Sequence, residues 1–221
     1  MTLFICPTPI GNLEDITLRA LRILKEADLI LAEDTRRTNK LLTHYRIKNK
    51  TTSFNDFNKE RKTPFIISLL RQNKGIAMVS DAGTPGISDP AFYLVRECVK
   101  ENLNIASLPG PTAAITALVA SGLPTDRFTF YGFFPKKEKQ KEEFVEGLKG
   151  RKETSICYES PHRIKKTMEL LAMHIPDFRI VMARELTKKF EEFQRGSAKE
   201  VFESVKNREL KGEIVLLLHS P

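Results

Sequence analysis

An α/β protein with two domains is the fold class that the sequence predicts. Short apolar runs alternate with amphipathic helical patterns over the 221 residues, and this alternation is typical of sheets covered by helices. In the first half a helix follows each strand, which favours a mostly parallel sheet, whereas several strands follow one another in the second half, which favours a mixed sheet. The stiff segment LPGPT, Leu108–Thr112, lies between the halves. We predict an N-terminal α/β domain over residues 1–109 and a C-terminal α/β domain over residues 110–221.

The first half is predicted to contain five strands separated by four helices. The strands are Leu3–Cys6, Leu29–Ala32, Thr51–Phe54, Ile76–Ser80 and Asn104–Leu108. The helices are Leu18–Ala27, Thr35–Tyr45, Glu60–Gln72 and Pro90–Glu101. Thr17, Asp34 and Asp89 precede three of these helices, and their side-chain oxygens are suited to accept hydrogen bonds from the free N–H groups of a first turn.

The second half is predicted to open with a helix and to continue with strands in a less regular order. The helices are Thr112–Ser121, Lys136–Lys149, Pro161–Met173 and Ala198–Asn207. The strands are Phe128–Gly132, Thr154–Glu159, Arg179–Glu185, Glu191–Gly196 and Ile214–Leu218. Ser160 is the predicted N-cap of the third helix, which would place His162 on an exposed first turn. A role for His162 as a general base is the alternative.

The composition is ordinary for a soluble globular protein, with 41% hydrophobic and 29% charged residues. No apolar run reaches the roughly 18 residues that a membrane span needs, and the N-terminus lacks the basic segment of a signal peptide. The cysteines Cys6, Cys98 and Cys157 are far apart in apolar contexts, and the four histidines show no metal-ligand spacing. We therefore expect a cytoplasmic protein with no membrane contact, no disulfide and no metal site.

Most of the net charge of +8 lies in one segment, residues 36–62, which we call the basic window. Nine basic residues oppose only Asp56 and Glu60 there, so the segment carries 9 − 2 = +7. The nine are Arg36, Arg37, Lys40, Arg46, Lys48, Lys50, Lys59, Arg61 and Lys62. Tyr45, Phe54 and Phe57 are interleaved, and this pattern predicts a polyanion-binding surface. A second run, residues 136–152, has seven basic and four acidic residues and is either a solvated face or a further contact.

Three loops that follow predicted strands are candidates for ligand binding. PTPIGN, Pro7–Asn12, has one glycine and two prolines, so it offers few N–H groups to a phosphate and suits an adenosine ligand without one. AEDTRRT, Ala32–Thr38, places Glu33 and Asp34 at a strand end, where open α/β sheets bind their ligands. The alternative is that Asp34 is only an N-cap.

The third loop is SDAGTPGISDP, Ser80–Pro90, whose side chains are small and whose backbone is stiff. Gly83 and Gly86 are predicted to adopt positive φ in turns. The loop therefore presents backbone carbonyls and the Asp81 carboxylate to a neighbour. Such a surface suits a bulky cationic ligand such as a sulfonium, and it does not suit a triphosphate.

Seven motifs in order resemble one family, the small-subunit ribosomal RNA methyltransferase I family, which is similar in fold to the tetrapyrrole (porphyrin/corrin) methylases. They are PTPIGNLEDITLRAL, AEDTRRT, VSDAGTPGISDP, LPGPTAAITAL, YESPHR, ARELTK and KGEIVLLL. The resemblance implies two α/β domains with the active site in the cleft between them, usually in a homodimer. It also implies S-adenosylmethionine-dependent methylation of a ribose 2′-hydroxyl, on a cytidine in the decoding region of small-subunit ribosomal RNA.

The resemblance further implies a set of cofactor-binding residues. Pro9 would lie on the floor of the cleft, and the loop after the fourth strand would hold the methionine end. The set is Pro9, Asp81, Ala82, Gly83, Thr84, Thr112, Ala113, Tyr158, Ala183, Arg184, Gly212, Glu213 and Ile214. In methyl transfer to an alcohol the protein aligns donor and acceptor and helps to remove the proton. Glu33, Asp34, Asp81 and Glu185 are unranked candidates for the base or polarising group, with Arg36 or Arg184 orienting the substrate.

Several alternatives stay open. Arg184 and Glu185 could instead form a structural ion pair. The same fold could methylate a tetrapyrrole or a protein side chain, and a non-catalytic RNA-binding module is a rival from another class. Longer members of the family continue past the last strand with a helical extension, whereas this sequence ends at Pro221, so we expect the basic window to carry more of the RNA contact. The RNA partner is free small-subunit ribosomal RNA or the assembled small subunit.

Overall fold

The computed structural model describes residues 2–221. The chain divides into two units, the first ending at Thr112 and the second beginning at Ala113. Each unit contains one five-stranded sheet covered by helices. The α/β class that the sequence predicts is therefore confirmed.

The first sheet is entirely parallel. Its strands are β1 (Thr2–Ile5), β2 (Leu29–Ala32), β3 (Thr51–Ser53), β4 (Ile76–Val79) and β5 (Asn104–Ser107). Their order across the sheet is β3-β2-β4-β1-β5. The register pairs Leu3 with Ile76 and Ala32 with both Ser53 and Val79, so the carboxyl ends of β2, β3 and β4 meet at one edge.

Helices cover both faces of this first sheet. They are α1 (Leu18–Glu26), α2 (Thr35–His44), α3 (Lys59–Arg71) and α4 (Ala91–Lys100). Successive residues of a strand point to opposite faces, and β4 is buried on both. Ala77 packs with α1 and α2 on one face, whereas Met78 packs with α3 and α4 on the other. The continuous apolar run IAMV is the expected sequence of such a central parallel strand.

The second sheet is mixed. Its strands are β6 (Phe128–Phe133), β7 (Thr154–Glu159), β8 (Arg179–Arg184), β9 (Glu192–Ser197) and β10 (Ile214–His219), in the order β6-β7-β10-β8-β9. Only β6 and β7 are parallel neighbours. The helices are α5 (Ala113–Val119), α6 (Glu138–Leu148), α7 (Ile164–His174) and α8 (Ala198–Val205). Residues of α6, α7 and α8 share one core with the sheet, whereas α5 packs against β7 and β10.

All the predicted strands and helices are present, and their ends differ by at most three residues. The largest shift is in α7, which begins at Ile164 rather than at Pro161, so the prediction of Ser160 as its N-cap is wrong. The Ser160 hydroxyl instead accepts a bond from the N–H of His162, in a turn that precedes the helix. Thr17 and Asp34 do cap α1 and α2 through their side chains.

A short 3-10 turn at Leu13–Asp15 escaped prediction because it has no apolar periodicity. Among the helices of residues 2–221, none has the length and apolar character to cross a membrane. The same described residues contain no group of three or more His, Cys, Asp or Glu side chains arranged to hold a metal ion.

Candidate functional site

The loops after β1 and β4 are joined to each other by hydrogen bonds. Because β1 and β4 are parallel neighbours, their carboxyl ends lie side by side. Thr8 and Gly83 exchange two backbone hydrogen bonds, of 2.9 and 3.0 Å. The Thr8 hydroxyl donates to the carbonyl of Ser80 at 3.2 Å, and the Ser80 hydroxyl lies 3.2 Å from the carbonyl of Gly83. Both hydroxyls are buried, so this junction is held rigidly.

The loop after β4 is also tied to the end of the first unit. Gly83 has φ +81°, and a Cβ there would lie 3.3 Å from Ile10 Cγ2 and 3.4 Å from the carbonyl oxygen of Pro111. The Thr84 hydroxyl donates to that carbonyl at 2.9 Å and lies 2.8 Å from the hydroxyl of Thr112. Gly86 has φ +95°. The predicted positive φ values are confirmed, and Gly83 is required for both its conformation and its close packing.

Three carboxylates of the prediction meet at the edge of the first sheet. Asp34 donates its backbone N–H to Asp81 Oδ1 at 3.0 Å, and Asp81 donates its own N–H to Glu33 Oε2 at 3.3 Å. Arg37 Nε lies 3.5 Å from the second oxygen of Asp81. This contact between Arg37 and Asp81 was not predicted, because Arg37 was assigned only to the basic window.

The carboxylates differ in their affinity for a proton. Burial raises the pKa of Glu33, and the negative charges of Asp81, Asp89 and Asp56 raise it further against the opposing hydrogen bond from the Asp81 N–H. The side chain and backbone N–H of Arg36 bind Asp34 and lower its pKa to about 2. Asp34 is therefore a permanent anion that caps α2 and holds Arg36, whereas Glu33 is suited to accept a proton.

A pocket of about 200 Å³ within the first unit has Asp81 in its lining, whereas Glu33 and Asp34 lie outside that lining. It is lined by Thr8, Pro9, Leu13, Arg37, Thr38, Lys40, Leu41, Ser80 and Asp81. Four of these residues come from one face of α2, at the spacing i, i+1, i+3 and i+4 that a helix brings together. The lining thus combines one carboxylate, two cations, three hydroxyls and an apolar floor. The helical spacing is the signal by which Thr38 and Leu41 could have been found in the sequence.

The predicted residues of the second unit gather on three neighbouring strands. Val215 of β10 pairs with Tyr158 of β7 on one side and with Ala183 of β8 on the other, and Ile214 pairs with Arg184. The ring of Tyr158 packs edge-on against Phe130 and Phe133.

The hydroxyl of Tyr158 ties β7 to the start of α5. Burial raises the pKa of this hydroxyl, and the backbone N–H of Ala114 opposes that shift by hydrogen-bonding to it. Ala113, the predicted cofactor contact, is the first residue of the same helix. The bond therefore places Ala113 beside the strand residues of the predicted set.

Glu185 is held in a tight structural turn. Its φ is +53°, its N–H donates to the carbonyl of Glu213 at 2.9 Å, and its Oε1 accepts from the Glu213 N–H at 3.0 Å and from Lys188 Nζ at 2.7 Å. Burial pushes the pKa of Glu185 upward, but these two donors outweigh it and leave the pKa lowered. Gly212, with φ +90°, lies directly beneath this carboxylate.

Arg184 does not pair with Glu185, so the proposed structural ion pair between them is wrong. Its guanidinium lies 2.9 Å from Glu192 Oε2 on the adjacent strand β9 and donates to the carbonyl of Lys211 at 3.1 Å. Arg208 also binds Glu192, whose pKa the Arg208 hydrogen bonds lower to about 2. The hairpin register of β8 and β9 decides this pairing.

The cations of the basic window are exposed, except Lys59 and Lys62. Over the described chain no carboxylate pairs with these exposed cations: Lys40, Arg46, Lys48, Lys50 and Arg61. Lys59 instead pairs with Asp56, and Lys62 is half-buried and donates to Ser53 and Thr52. The ammonium of Lys62 is therefore committed to the fold.

Three further expectations concern the exposure of single side chains. Phe54 has no exposed surface, so its expected place among the surface aromatics is wrong, whereas Phe57 is fully exposed. In the second basic run, Lys139 and Lys149 pair with glutamates of α6, as a solvated helix face does. Lys141 is buried and pairs with Glu138. His162 is exposed, as expected, but it lies in the turn before α7 rather than in the first turn of the helix.

The sequence pattern of the Tetrapyrrole (Corrin/Porphyrin) Methylases matches residues 2–201. A "Ribosomal RNA small subunit methyltransferase I" from Hydrogenobaculum sp. is 50% identical over 99% of this chain and 95% of that relative. A protein of the same name from Halalkalibacterium halodurans is 47% identical over 98% of this chain and 75% of that relative.

Among solved structures, a uroporphyrin-III C-methyl transferase from Thermus thermophilus, complexed with S-adenyl homocysteine, superposes with a TM-score of 0.65. It is 17% identical and covers 98% of this chain and 97% of that chain, so it shows the fold alone. Near-complete coverage at about half identity identifies the family more narrowly. The chain belongs to the small-subunit ribosomal RNA methyltransferase I family, within the tetrapyrrole methylases.

Proposed function

We propose that this protein transfers a methyl group from S-adenosylmethionine to the ribose 2′-hydroxyl of a cytidine in the decoding region of small-subunit ribosomal RNA. The observation that carries the proposal is the pocket lined by Asp81, Arg37 and Lys40, in which the backbone N–H of Asp81 donates to the carboxylate of Glu33. The relatives' shared name supports ribosomal RNA as the substrate. The protein would act in the cytoplasm, as a homodimer.

The loop after β4 fits the cofactor. Ala82 is exposed and has a small side chain, so a bulky group can approach the backbone of this residue, and the neighbouring Asp81 carboxylate suits a positive sulfonium. When bound, S-adenosylmethionine supplies an electrophilic methyl group. A protein of the same fold was crystallised with S-adenyl homocysteine, which supports this choice. Pro9, Thr84 and Thr112 would complete the contacts in the first unit.

Residues of the second unit are proposed to contact the adenosine part. They are Ala113, Tyr158, Ala183, Arg184, Gly212, Glu213 and Ile214. The guanidinium of Arg184 is held by Glu192, so we assign to this residue a backbone contact. Glu185 is likewise engaged by Lys188 and Glu213, so we assign to it the positioning of Gly212 and Glu213.

Glu33 is the base that we propose among the four candidates. A ribose hydroxyl must lose its proton as its oxygen is methylated, and a carboxylate with a raised pKa is the better acceptor. Asp34 is unsuited, because Arg36 already binds both of its oxygens and lowers its pKa to about 2. Arg37 and Lys40 would bind the phosphates that flank the target ribose.

The proposal is tested by methyl transfer from labelled S-adenosylmethionine to small-subunit RNA without ribose methylation, supplied free and as assembled small subunits. The expected product after digestion is 2′-O-methylcytidine. Glu33→Gln should abolish labelling and retain cofactor binding, whereas Glu26→Gln, on the exposed face of α1, should label at the wild-type rate. Cofactor binding with no labelling of either RNA would refute the proposed substrate, and labelling of a base would refute the proposed chemistry.

A further inference from the structure

The turn between β3 and α3, residues 54–58, lies at the same sheet edge as Glu33. β3 is the parallel neighbour of β2, and Phe54 donates its N–H to the carbonyl of Ala32 at 2.7 Å. Ala32 directly precedes Glu33 in the chain. Phe57 follows Phe54 by three residues, so their Cα atoms are at most about 11 Å apart. The Asp56 charge also contributes to the raised pKa of Glu33, in agreement with this short separation.

This turn is held in one conformation by its two asparagines. The Asn55 side chain accepts from the N–H of Phe57 at 3.2 Å, and the Asn58 side chain accepts from the N–H of Asn55 at 3.0 Å. Asn58 also donates to the hydroxyl of Ser53 at 3.2 Å. Phe54 is fully buried and anchors the start of the turn in the core. The backbone of the turn is therefore fixed before any partner arrives.

Phe57 lies at the tip of this rigid turn and is 100% exposed. Because Phe54 is buried and the backbone of the turn is fixed, the exposed ring of Phe57 is held in place on the surface. The ring lies within the basic window, close in sequence to the exposed and unpaired Arg61. Positive charge combined with an exposed aromatic ring is the arrangement by which proteins bind single-stranded RNA, since every base has a face that can stack.

We propose that Phe57 stacks on an unpaired base of the RNA, close in sequence to the nucleotide that is methylated. This inference rests on the proposed function and deepens it, because it assigns a binding site for a second nucleotide at the same sheet edge as Glu33. The partner is RNA rather than a second copy of this chain, because the basic window of one copy would repel that of another. The site takes a base without reading its identity, since the ring contributes no hydrogen bond.

The test measures binding and methylation of a small-subunit RNA fragment by three variants. Phe57→Ala should raise both the Kd and the KM for RNA about tenfold, the range expected for one lost stacking contact, and leave kcat and the cofactor Kd within about twofold. Phe57→Tyr keeps the ring and should restore wild-type values. Phe65→Ala removes another exposed phenylalanine, on α3, and should change nothing. A 2-aminopurine placed near the target should be quenched on binding by the wild type and less so by Phe57→Ala.

Each outcome separates this inference from the proposed function. If Phe57→Ala binds RNA as tightly as the wild type, the stacking site is refuted while the methyltransferase remains. If Phe57→Ala changes the oligomeric state in light scattering, the ring is a contact between copies, and the inference is also refuted. If the wild type binds the RNA and never methylates it, the proposed function fails, whereas a tenfold weaker Kd for Phe57→Ala would still support stacking.

Discussion

Gly212→Ala is expected to destabilise the second unit by forcing Glu185 out of its turn. Gly212 has φ +90°, and an added Cβ would lie 2.3 Å from Glu185 Cδ and 2.5 Å from its Cγ. No side chain tolerates such distances, so the carboxylate must move. When it moves, it loses the bonds to the Glu213 N–H at 3.0 Å and to Lys188 at 2.7 Å.

The magnitude has two parts. An alanine in the left-handed region costs about 1–2 kcal/mol relative to glycine. Loss of two partly exposed hydrogen bonds, one of them to a charged partner, adds about 1–2 kcal/mol. Gly122 is the matched control, because it lies in the same unit with φ +77° and has nothing within 4 Å of an added Cβ. Gly122→Ala should therefore show the conformational cost alone.

The assay is a double-mutant cycle of Gly212→Ala and Glu185→Ala, in which urea unfolding measures the stability of each variant. In the wild-type background, Gly212→Ala should lower the free energy of unfolding by about 2–4 kcal/mol, and Gly122→Ala by about 1–2 kcal/mol. In a Glu185→Ala background the obstructing carboxylate is gone, so Gly212→Ala should cost no more than Gly122→Ala. If Gly212→Ala lowers the free energy of unfolding equally in both backgrounds, the added methyl group does not clash with Glu185, and the predicted mechanism is refuted.

Three further predictions concern stability and pH. Phe54→Ala should lower the free energy of unfolding by about 3–5 kcal/mol, because Phe54 is fully buried, whereas Phe57→Ala should change it by less than about 0.5 kcal/mol in the same urea titration; similar values for both would contradict the burial. The raised pKa of Glu33 predicts that kcat/KM falls on the acid side with a midpoint above 4.5, and a profile flat down to pH 4.5 would exclude Glu33 as the base. The pKa of Glu192 is about 2 in the folded protein, so its stabilisation is complete above 4.5 and is lost as pH falls from 4.5 towards 2. Glu192→Gln should flatten that part of the stability–pH curve, and an unchanged slope would argue against the pairing with Arg208.

Features that depend on local sequence were predictable. Asp34 precedes an apolar-periodic segment and caps α2, because a cap needs only a short side chain two residues before a free N–H. The positive φ of Gly83 and Gly86 follows from the turn chemistry of one short loop. The meeting of Glu33 with Asp81 also follows, since both end parallel strands.

Features decided by tertiary contacts were not predictable. The local sequence does not distinguish Phe54 from Phe57, yet Phe54 is buried in the core and Phe57 is exposed to solvent. Arg184 has an adjacent glutamate in the sequence but binds Glu192, which the hairpin register of β8 and β9 brings beside it. The sequence predicts Lys62 to be a surface cation, but its place on α3 brings its ammonium group into hydrogen-bonding contact with Ser53. In each case, strand pairing or the position of a helix determines which residues the side chain contacts.

The central position of β4 sets the order in which the protein can fold while it is being synthesised. β1 and β2 are made first, yet they are not neighbours, and β4 lies between them. Translation at about 5–20 residues per second puts about 2–9 s between Ala32 and Ile76, during which β1 has no strand to pair with. The loop that Thr8 and Gly83 join closes only afterwards, and its bond from Thr84 to Pro111 must await the last residues of the unit. The loop after β4 is thus fixed in place only when the whole first unit has emerged from the ribosome.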